Sequence, residues 1–538
     1  MFLTKIKIPE YKILKDIDIN LVSLNSHNVF PVISYNGGGK STLLQLIFGL
    51  LNFSFEPSKH TYLRNLLSYF NQFKLDNEKL REVAYFELQI DDKPYFIKYL
   101  VANKSYKGIN FDVIIKLAEL KELVKKNYEL LNDLELLNKL EADFTNSNIS
   151  SEVLFHEIRR FITNEREESI IRRGDVKTIL KHLNIFKNKI ESSILHTDEI
   201  NKSLLVAEAE NTQLENQLKK LNLNYAFHFN KNETVLLYET DLENLQLKKI
   251  SSNVFLASPK TQVMHFLDPE EVNSLFKMEK YFYSSYDRYI TNCQENVKEY
   301  FTYDFSTINL IVRAFQRARD NDFKKALETG NYGNEISKSF IELNNLLENK
   351  TISIDNELKN LSFKNSKNLK LTPSDLSHGE LKKLSIYIWL KANIPEGSIV
   401  LFDEIDMGLH PKWQQDIYND IQTWNPTNQY FLATHSPQII SNSRYKNLVV
   451  LDFKANFTTS KQFNEAPVDS DLNSIVKTIM GAEYIPLELQ KLREEYRLLF
   501  DKNLEETKEG QKLKLEIMNY ESQNSSFFQE LHLKKLLR

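Results

Sequence analysis

The sequence predicts a mixed α/β fold: a strand-and-helix head, interrupted by a helical insertion and closed by a helical tail. Three observations carry that expectation. A β-branched and aromatic run, Val29 to Ile33, leads into Ser34-Tyr35-Asn36-Gly37-Gly38-Gly39-Lys40-Ser41-Thr42 and then into the apolar stretch Leu43 to Leu51. Two later apolar runs of strand length, Ile399 to Phe402 and Tyr430 to Thr434, end in Asp403-Glu404 and in His435-Ser436-Pro437. Between the first feature and the other two, apolar residues recur at three-then-four spacing, which is the period of helices.

Size and composition set the frame. A chain of 538 residues, 41% of them hydrophobic, is long enough for several packed units. A net charge of −4 gives no global nucleic-acid footprint, so any such contact must come from a local patch. The single cysteine, Cys293, excludes an intrachain disulfide and a multi-thiolate zinc site, which suits a reducing cytoplasm. The N-terminal residues lack the apolar core of a signal peptide. No apolar run approaches the ~18 residues of a membrane span. A soluble cytoplasmic protein with no membrane partner is expected.

Residues 1–112 are expected to be strands around the glycine loop, from the short alternating runs Ile6/Ile8, Ile17/Ile19 and Val83/Tyr85/Glu87/Gln89. Residues 113–225 read as helical. Leu117, Leu120, Val124, Leu131 and Leu134 form one seam; Ile200, Leu204, Ala207, Leu214, Leu218 and Leu221 form another, with Asn211 at a core position. Two such seams fit an antiparallel coiled-coil arm or two amphipathic helices packed on a domain. The basic stretch between them includes Arg159, Arg160, Arg166, Arg172, Arg173, Lys177, Lys181, Lys187 and Lys189. It fits a tip that touches nucleic acid or an acidic partner, or simply a solvated helical face. Residues 226–368 are expected to begin with strands (Val235 to Tyr238, Val254 to Leu256) and continue as helix, completing the head. Residues 369–460 carry the later motifs, and 461–538 form a helical tail for partner or oligomer contact.

The residue types at these places point to nucleotide chemistry. Consecutive glycines let backbone N–H groups curl around a polyphosphate at a helix N-terminus, with Asn36, Gly37, Gly38, Gly39, Lys40, Ser41 and Thr42 as the nucleotide-binding set. Lys40 would reach the β- and γ-phosphates and Ser41 would ligate Mg²⁺. The pattern G-x-x-x-x-G-K-[ST] is met except at its first position, where Ser34 stands. Asp403 would join the Mg²⁺ shell, and Glu404, the adjacent carboxylate, would act as general base on water. His435, at a strand end, would sense the γ-phosphate. Leu376-Ser377-His378-Gly379-Glu380 precedes a helix and offers a second anion-ready terminus. Six of the thirteen glycines (Gly37, Gly38, Gly39, Gly379, Gly397, Gly408) fall in or beside these motifs. His410 fits either an interface contact or a plain turn.

Together these motifs resemble the ABC-type P-loop ATPases, in the branch holding SMC, Rad50, RecF and the overcoming-lysogenization-defect proteins. Tyr35 to Thr42 looks like Walker A, Leu376 to Glu380 like the signature, Leu401 to Glu404 like Walker B and Thr434-His435-Ser436 like the switch histidine. The resemblance implies ATP and Mg²⁺ as cofactors and an SMC/RecF-like head that dimerises head-to-tail, or assembles further. Ser377, Gly379 and Glu380 of one copy would then complete the site built by Lys40, Glu404 and His435 of another. The family's Q-loop glutamine is placed weakly at Gln262, as a metal-shell residue, with Gln89 as an alternative. The tail is similar to that of stand-alone ATPases in bacterial defence islands, above all the Septu and retron-associated PtuA family. PARIS-type ATPases are a near alternative. That likeness implies an antiphage sensor or regulator of a separate HNH nuclease of the PtuB kind, and leaves room for nucleic acid or a retron reverse transcriptase–msDNA complex as partner.

Other readings remain open at this stage. A RecF- or Rad50-like repair ATPase is possible in layout, but the arm is short and lacks a Cys-x-x-Cys apex. A built-in nuclease is disfavoured, because after Leu448 to Asp452 no further buried strand ends in an Asp-x-Asp pair and no HNH cluster is recognised.

Overall fold

The computed structural model describes residues 1–21, 28–146, 150–162, 176–194, 197–228, 234–266, 291–303, 307–354, 361–372, 375–454, 456–463, 465–466, 472–481 and 485–536. Arg166, Arg172 and Arg173 of the basic stretch lie outside them. In chain order the strands are β1 (Phe2–Tyr11), β2 (Leu14–Asn20), β3 (Val29–Ser34), β4 (Arg81–Ile90), β5 (Lys93–Asn103), β6 (Asn224–His228), β7 (Thr234–Thr240), β8 (Val254–Ser258), β9 (Tyr300–Thr302), β10 (Lys350–Ile354), β11 (Leu361–Asn365), β12 (Lys370–Leu371), β13 (Ile399–Phe402), β14 (Gln429–Ala433), β15 (Val449–Lys454) and β16 (Phe457–Lys461). Two compact units result. One holds Met1–Tyr69, Val83–Ile97 and Asp241–Arg538; the other holds Phe70–Glu82 and Lys98–Thr240.

In the first unit the strand order is β4-β1-β2-β16-β15-β3-β14-β13-β8-β9. From β15 to β9 every pairing is parallel, and β3, β13 and β14 at its centre are buried apolar runs, as a sheet covered on both faces requires. The register puts Phe402 beside Leu432, and Ala433 beside Val32. The ends of β13, β14 and β3 therefore reach the same sheet edge, where ligands collect in open α/β sheets. The helix Lys40–Phe53 leaves β3 and is buried from Leu43 to Phe53. On the other face, Trp389 stacks on Phe301 at 4.9 Å within a core that also takes Phe402, Ile417 and Tyr430. That core fixes the helices His378–Asn393 and Pro411–Trp424 against β13.

Strand β4 forms where expected. Val83, Ala84, Phe86, Leu88 and Ile90 are buried, while Tyr85 and Glu87 are half-buried and Gln89 is exposed. Side chains alternate along a strand, and beyond Val83 the even-numbered row is the covered one. The three helices Leu487–Asp501, Lys508–Met518 and Ser526–Leu536 make a small core of their own around Tyr496, Phe500, Ile517 and Phe527.

The second unit contains two long helices, Asp112–Thr145 and Thr197–Lys220. They run antiparallel: Ile114, near the start of the first, shares a core with Leu214 and Leu218, near the end of the second. Ala207, Leu214 and Leu218 are buried on the second seam, with Asn211 among them donating to Glu215 at 2.8 Å. On the first helix the seam runs through Leu117, Asn127, Leu137, Leu140 and Phe144, and Leu131 is exposed. The sequence reading placed Leu131 on the seam; the register instead admits Asn127, three residues after Val124, and turns Leu131 outward. Leu137, Leu140 and Phe144 pack with Leu183 and Phe186 of a third helix, Val176–Ser193. Lys187 of that helix is buried and paired with Glu141, so it is no part of a free basic face; Lys177, Lys181 and Lys189 are exposed. The unit reaches beyond residues 113–225, because Leu100, Ala102, Val235 and Leu237 of β5 and β7 cover the root of the helix pair. Among the described residues no helix is long and apolar enough to cross a membrane.

Candidate nucleotide-binding site

The loop after β3 is held by its own backbone and by three glycines with distinct tasks. Gly38 N donates to Tyr35 O at 3.0 Å, closing the turn. Gly37 and Gly39 have φ of 76° and 90°, in the left-handed region that side chains avoid. At Gly38 the limit is space: a Cβ there would lie 2.6 Å from Ser34 Cβ. Asn36 is exposed and Thr42 half-buried, at the two sides of the loop.

Ser34 departs from the usual glycine for a visible reason. It ends a strand, needs no left-handed backbone, and uses its hydroxyl, donating to Tyr35 O at 2.8 Å. The same oxygen accepts from Lys40 Nζ at 3.2 Å.

Four residues predicted separately meet at the sheet edge. Lys40 Nζ lies 2.6 Å from His435 Nε2, and Ser41 Oγ donates to Asp403 Oδ1 at 3.0 Å. Burial pushes the Lys40 ammonium down to about 8, although Asp403, Asp406 and Glu404 oppose the shift. Burial and then Lys40 lower His435, which keeps the imidazole neutral and able to accept from Lys40. Burial is also the main cause that raises Asp403 to about 6. Its Oδ2 is buried with no hydrogen-bond partner, and so is Asp406 Oδ1. An orphaned carboxylate oxygen beside a serine hydroxyl fits a divalent cation, and the glycine cradle with Lys40 fits a polyphosphate.

The lowered Lys40 has a testable consequence. A bound triphosphate favours the ammonium form, so above about pH 8 binding must take up a proton. Affinity for the triphosphate should be flat below that pH. It should weaken above it, by up to about tenfold per unit. Calorimetry in two buffers of different ionisation enthalpy would read the proton uptake; none at pH 9 would contradict it.

Glu404 follows Asp403 in a left-handed backbone, φ 52°, rare for a non-glycine residue and costing roughly 1–3 kcal/mol. Lys382, a residue the sequence reading passed over, donates to Glu404 O at 3.1 Å and to Met407 O at 2.8 Å. Its ammonium lies 3.9 Å from the centre of the Tyr303 ring, and burial lowers it to about 7 against the pull of Asp406 and Glu404. Gln262 lies in the turn Lys260–Phe266, where its Oε1 accepts from Gln45 Nε2 at 3.0 Å, one helical turn beyond Ser41. Gln89 pairs with Phe2 across β4 and β1 and has no described contact with these residues.

The Ser377 segment is built differently. Ser377 caps the helix His378–Asn393 in a reciprocal capping box with Glu380, whose carboxylate also takes Lys350 at 2.7 Å. Burial works against ionisation there, yet the bonds from Lys350 and Ser377 hold Glu380 below its usual range. Glu380 is thus turned inward, toward its own helix, while Ser377 is exposed. Gly379 is packed so closely that a Cβ would meet Gly408 O at 2.9 Å. His410 caps the helix Pro411–Trp424, its Nδ1 accepting from Lys412 N at 3.3 Å, and lines one groove with Ser377, Gly379 and Trp413. Described hydrogen bonds from Ser377 do not reach Lys40, Ser41 or Asp403.

A glycine cradle at a helix N-terminus, facing the buried Asp403 and the half-buried Glu404 at the edge of a parallel sheet, defines a P-loop nucleotide-binding head of the α/β class. Residues 213–441 match a family model described as "AAA domain, putative AbiEii toxin, Type IV TA system". That stretch holds the Ser377, Asp403-Glu404 and His435 motifs but not the glycine loop. Among curated proteins the chain is similar to "Retron Vc95 probable ATPase" of Vibrio cholerae serotype O1 biovar El Tor, 31% identical over 121 residues, 22% of this chain and 23% of that one. It is also similar to "Retron Ec83 probable ATPase" of Escherichia coli, 26% identical over 199 residues, 29% of this chain and 37% of that one. The matches thus span well under half the length of these relatives. Among solved structures, an SMC head bound to the C-winged helix domain of ScpA aligns over 86% of this chain and 98% of its own, at 10% identity and TM-score 0.37. The SMC head domain from Thermotoga maritima aligns over 86% and 100%, at 8% identity and TM-score 0.35.

Proposed function

We propose that this chain is an ABC/SMC-type ATPase whose heads pair head-to-tail, and whose nucleotide state licenses a separate effector nuclease in bacterial antiphage defence. The observation that carries the ATPase reading is the meeting of Lys40, Ser41, Asp403, Glu404 and His435 at one sheet edge. Ser41 and Asp403 would hold Mg²⁺, which when bound neutralises charge on the β- and γ-oxygens. Lys40 would exchange its bonds to Ser34 and His435 for phosphate oxygens. Glu404 would take the proton of the attacking water. His435, freed from Lys40, would orient that water or the γ-phosphate. The exposed Ser377 and close-packed Gly379 would meet the nucleotide of a second copy, since neither serves the site of its own chain.

The defence role is supported by the similarity to two retron ATPases and by the tail, which resembles that of the PtuA family. Expression of the native operon with a tag on this chain tests it. The reading expects purified ATPase activity and co-purification of a neighbouring HNH-type nuclease, released or activated by a change of nucleotide. A chain that hydrolyses ATP, binds DNA ends freely and brings no nuclease would instead support a repair function.

A further inference from the structure

We propose that Lys382 is a positioning residue that ties the helix bearing Ser377 and Gly379 to the backbone of Glu404, so that nucleotide captured by that helix sets Glu404 for hydrolysis. The inference rests on the ATPase reading and concerns how its two composite sites communicate. In a head-to-tail pair, the helix of one chain faces the partner's nucleotide while Glu404 serves the chain's own. A link between them within one chain therefore couples the two sites.

The geometry of the link is unusual. Lys382 is 1% exposed, yet among the described residues no carboxylate lies within ion-pairing distance of its ammonium. Buried lysines are rare unless paired, and a leucine or methionine would fill the same space at less cost. What the ammonium does is cross-brace a turn: it donates to the carbonyls of Glu404 and Met407, while Met407 N donates to Glu404 O at 3.1 Å. The face of Tyr303 shields it, and Tyr303 OH in turn donates to Ala257 O on β8. A left-handed Glu404 persists only if its surroundings over-determine it, and this brace supplies that constraint.

The lever arm is short and stiff. Lys382 sits three residues after Gly379, on the same face of the helix. Gly379 touches Gly408 O closely enough to exclude a Cβ, and a Cβ at Gly408 would meet His378 at 2.5 Å. The first two turns of the helix are thus seated on the segment from Glu404 to Gly408 at both ends. Through these contacts and the Lys382 bonds, a displacement at Ser377 is passed toward the carbonyl of Glu404.

Steady-state hydrolysis and direct nucleotide binding of wild type, Lys382→Met and Lys382→Arg test this. For Lys382→Met the expected result is a kcat about tenfold lower or more at an unchanged nucleotide Kd, with the Hill coefficient in ATP falling to about one. Lys382→Arg, which keeps the donors, should recover part of both at wild-type Kd, and it carries the test alone if the methionine variant fails to fold. Unchanged kcat and cooperativity in the variant that folds, or a wild type that hydrolyses without cooperativity, would overturn the inference and leave the ATPase reading standing. A folded wild type without hydrolysis would instead overturn the ATPase reading itself.

Discussion

Replacing Glu404 by glutamine is expected to lower ATP hydrolysis by about 100-fold or more while leaving MgATP affinity near wild type. Glutamine keeps the volume and an acceptor oxygen, but it cannot take a proton from water. Nor does the change touch the cradle: Lys40 is held by Ser34 and His435, and Ser41 faces Asp403. The backbone at 404 should keep its left-handed turn, because its carbonyl, not its side chain, receives Lys382. Binding without turnover should accumulate paired heads, seen as a shift to larger size on gel filtration in MgATP. Hydrolysis at the wild-type rate would remove Glu404 from the role of base.

Lys40→Ala is expected to weaken nucleotide binding by roughly 10- to 100-fold, the range of a lost charge-assisted hydrogen bond. The same change removes a charge that the fold holds at a cost, which offsets part of the packing lost with the side chain. Lys40 is buried, and burial lowers its ammonium to about 8, so at neutral pH the fold carries a charge it would shed more readily than an unfolded chain. Because the unfolded chain binds the proton more tightly, stability at this group rises with pH between about 8 and the ordinary lysine range. Removing the charge removes that cost. A variant that lost affinity through misfolding would show a much lower melting temperature; one close to wild type is expected.

Much of this site could be read from the chain because its chemistry is local. Gly37 to Ser41 are contiguous, and the left-handed backbone at Gly37 and Gly39 and the close approach of Gly38 to Ser34 are set within a few residues. Asp403-Glu404 and His435 announced themselves as polar ends of short buried strands, and the parallel register then brought them to one edge. Lys382 gave no such signal, since a lysine in an amphipathic helix normally points to water. Its burial is decided by Tyr303 and by the turn at Glu404, far away in the sequence. Which face of β4 is covered was not legible for a related reason: Tyr85 and Glu87 alternate as well as Phe86 and Leu88 do, and only pairing with β1 settles which row is buried. Asn127 took a seam position assigned by spacing to Leu131, because helical register over a long helix is set by the partner surface. The helix pair also recruits β5 and β7 at its root, a contact that periodicity within the helices does not encode.

The central claim is that the exposed Ser377 of one copy completes the site built around Lys40 of another. Mixing two inactive variants tests it most directly. Lys40→Ala lacks the cradle lysine but keeps Ser377, and Ser377→Arg blocks the helix end but keeps the cradle. Each alone should be inactive. Mixed in equal amounts, they should regain hydrolysis above either variant alone and up to about a quarter of the wild-type rate, because half of randomly formed pairs are mixed and each holds one intact site of two; the blocked helix in the chain that supplies that site's Glu404 lowers the figure further. Activity that stays at the level of the separate variants, with both shown to be folded and exchanging partners, would contradict the composite site.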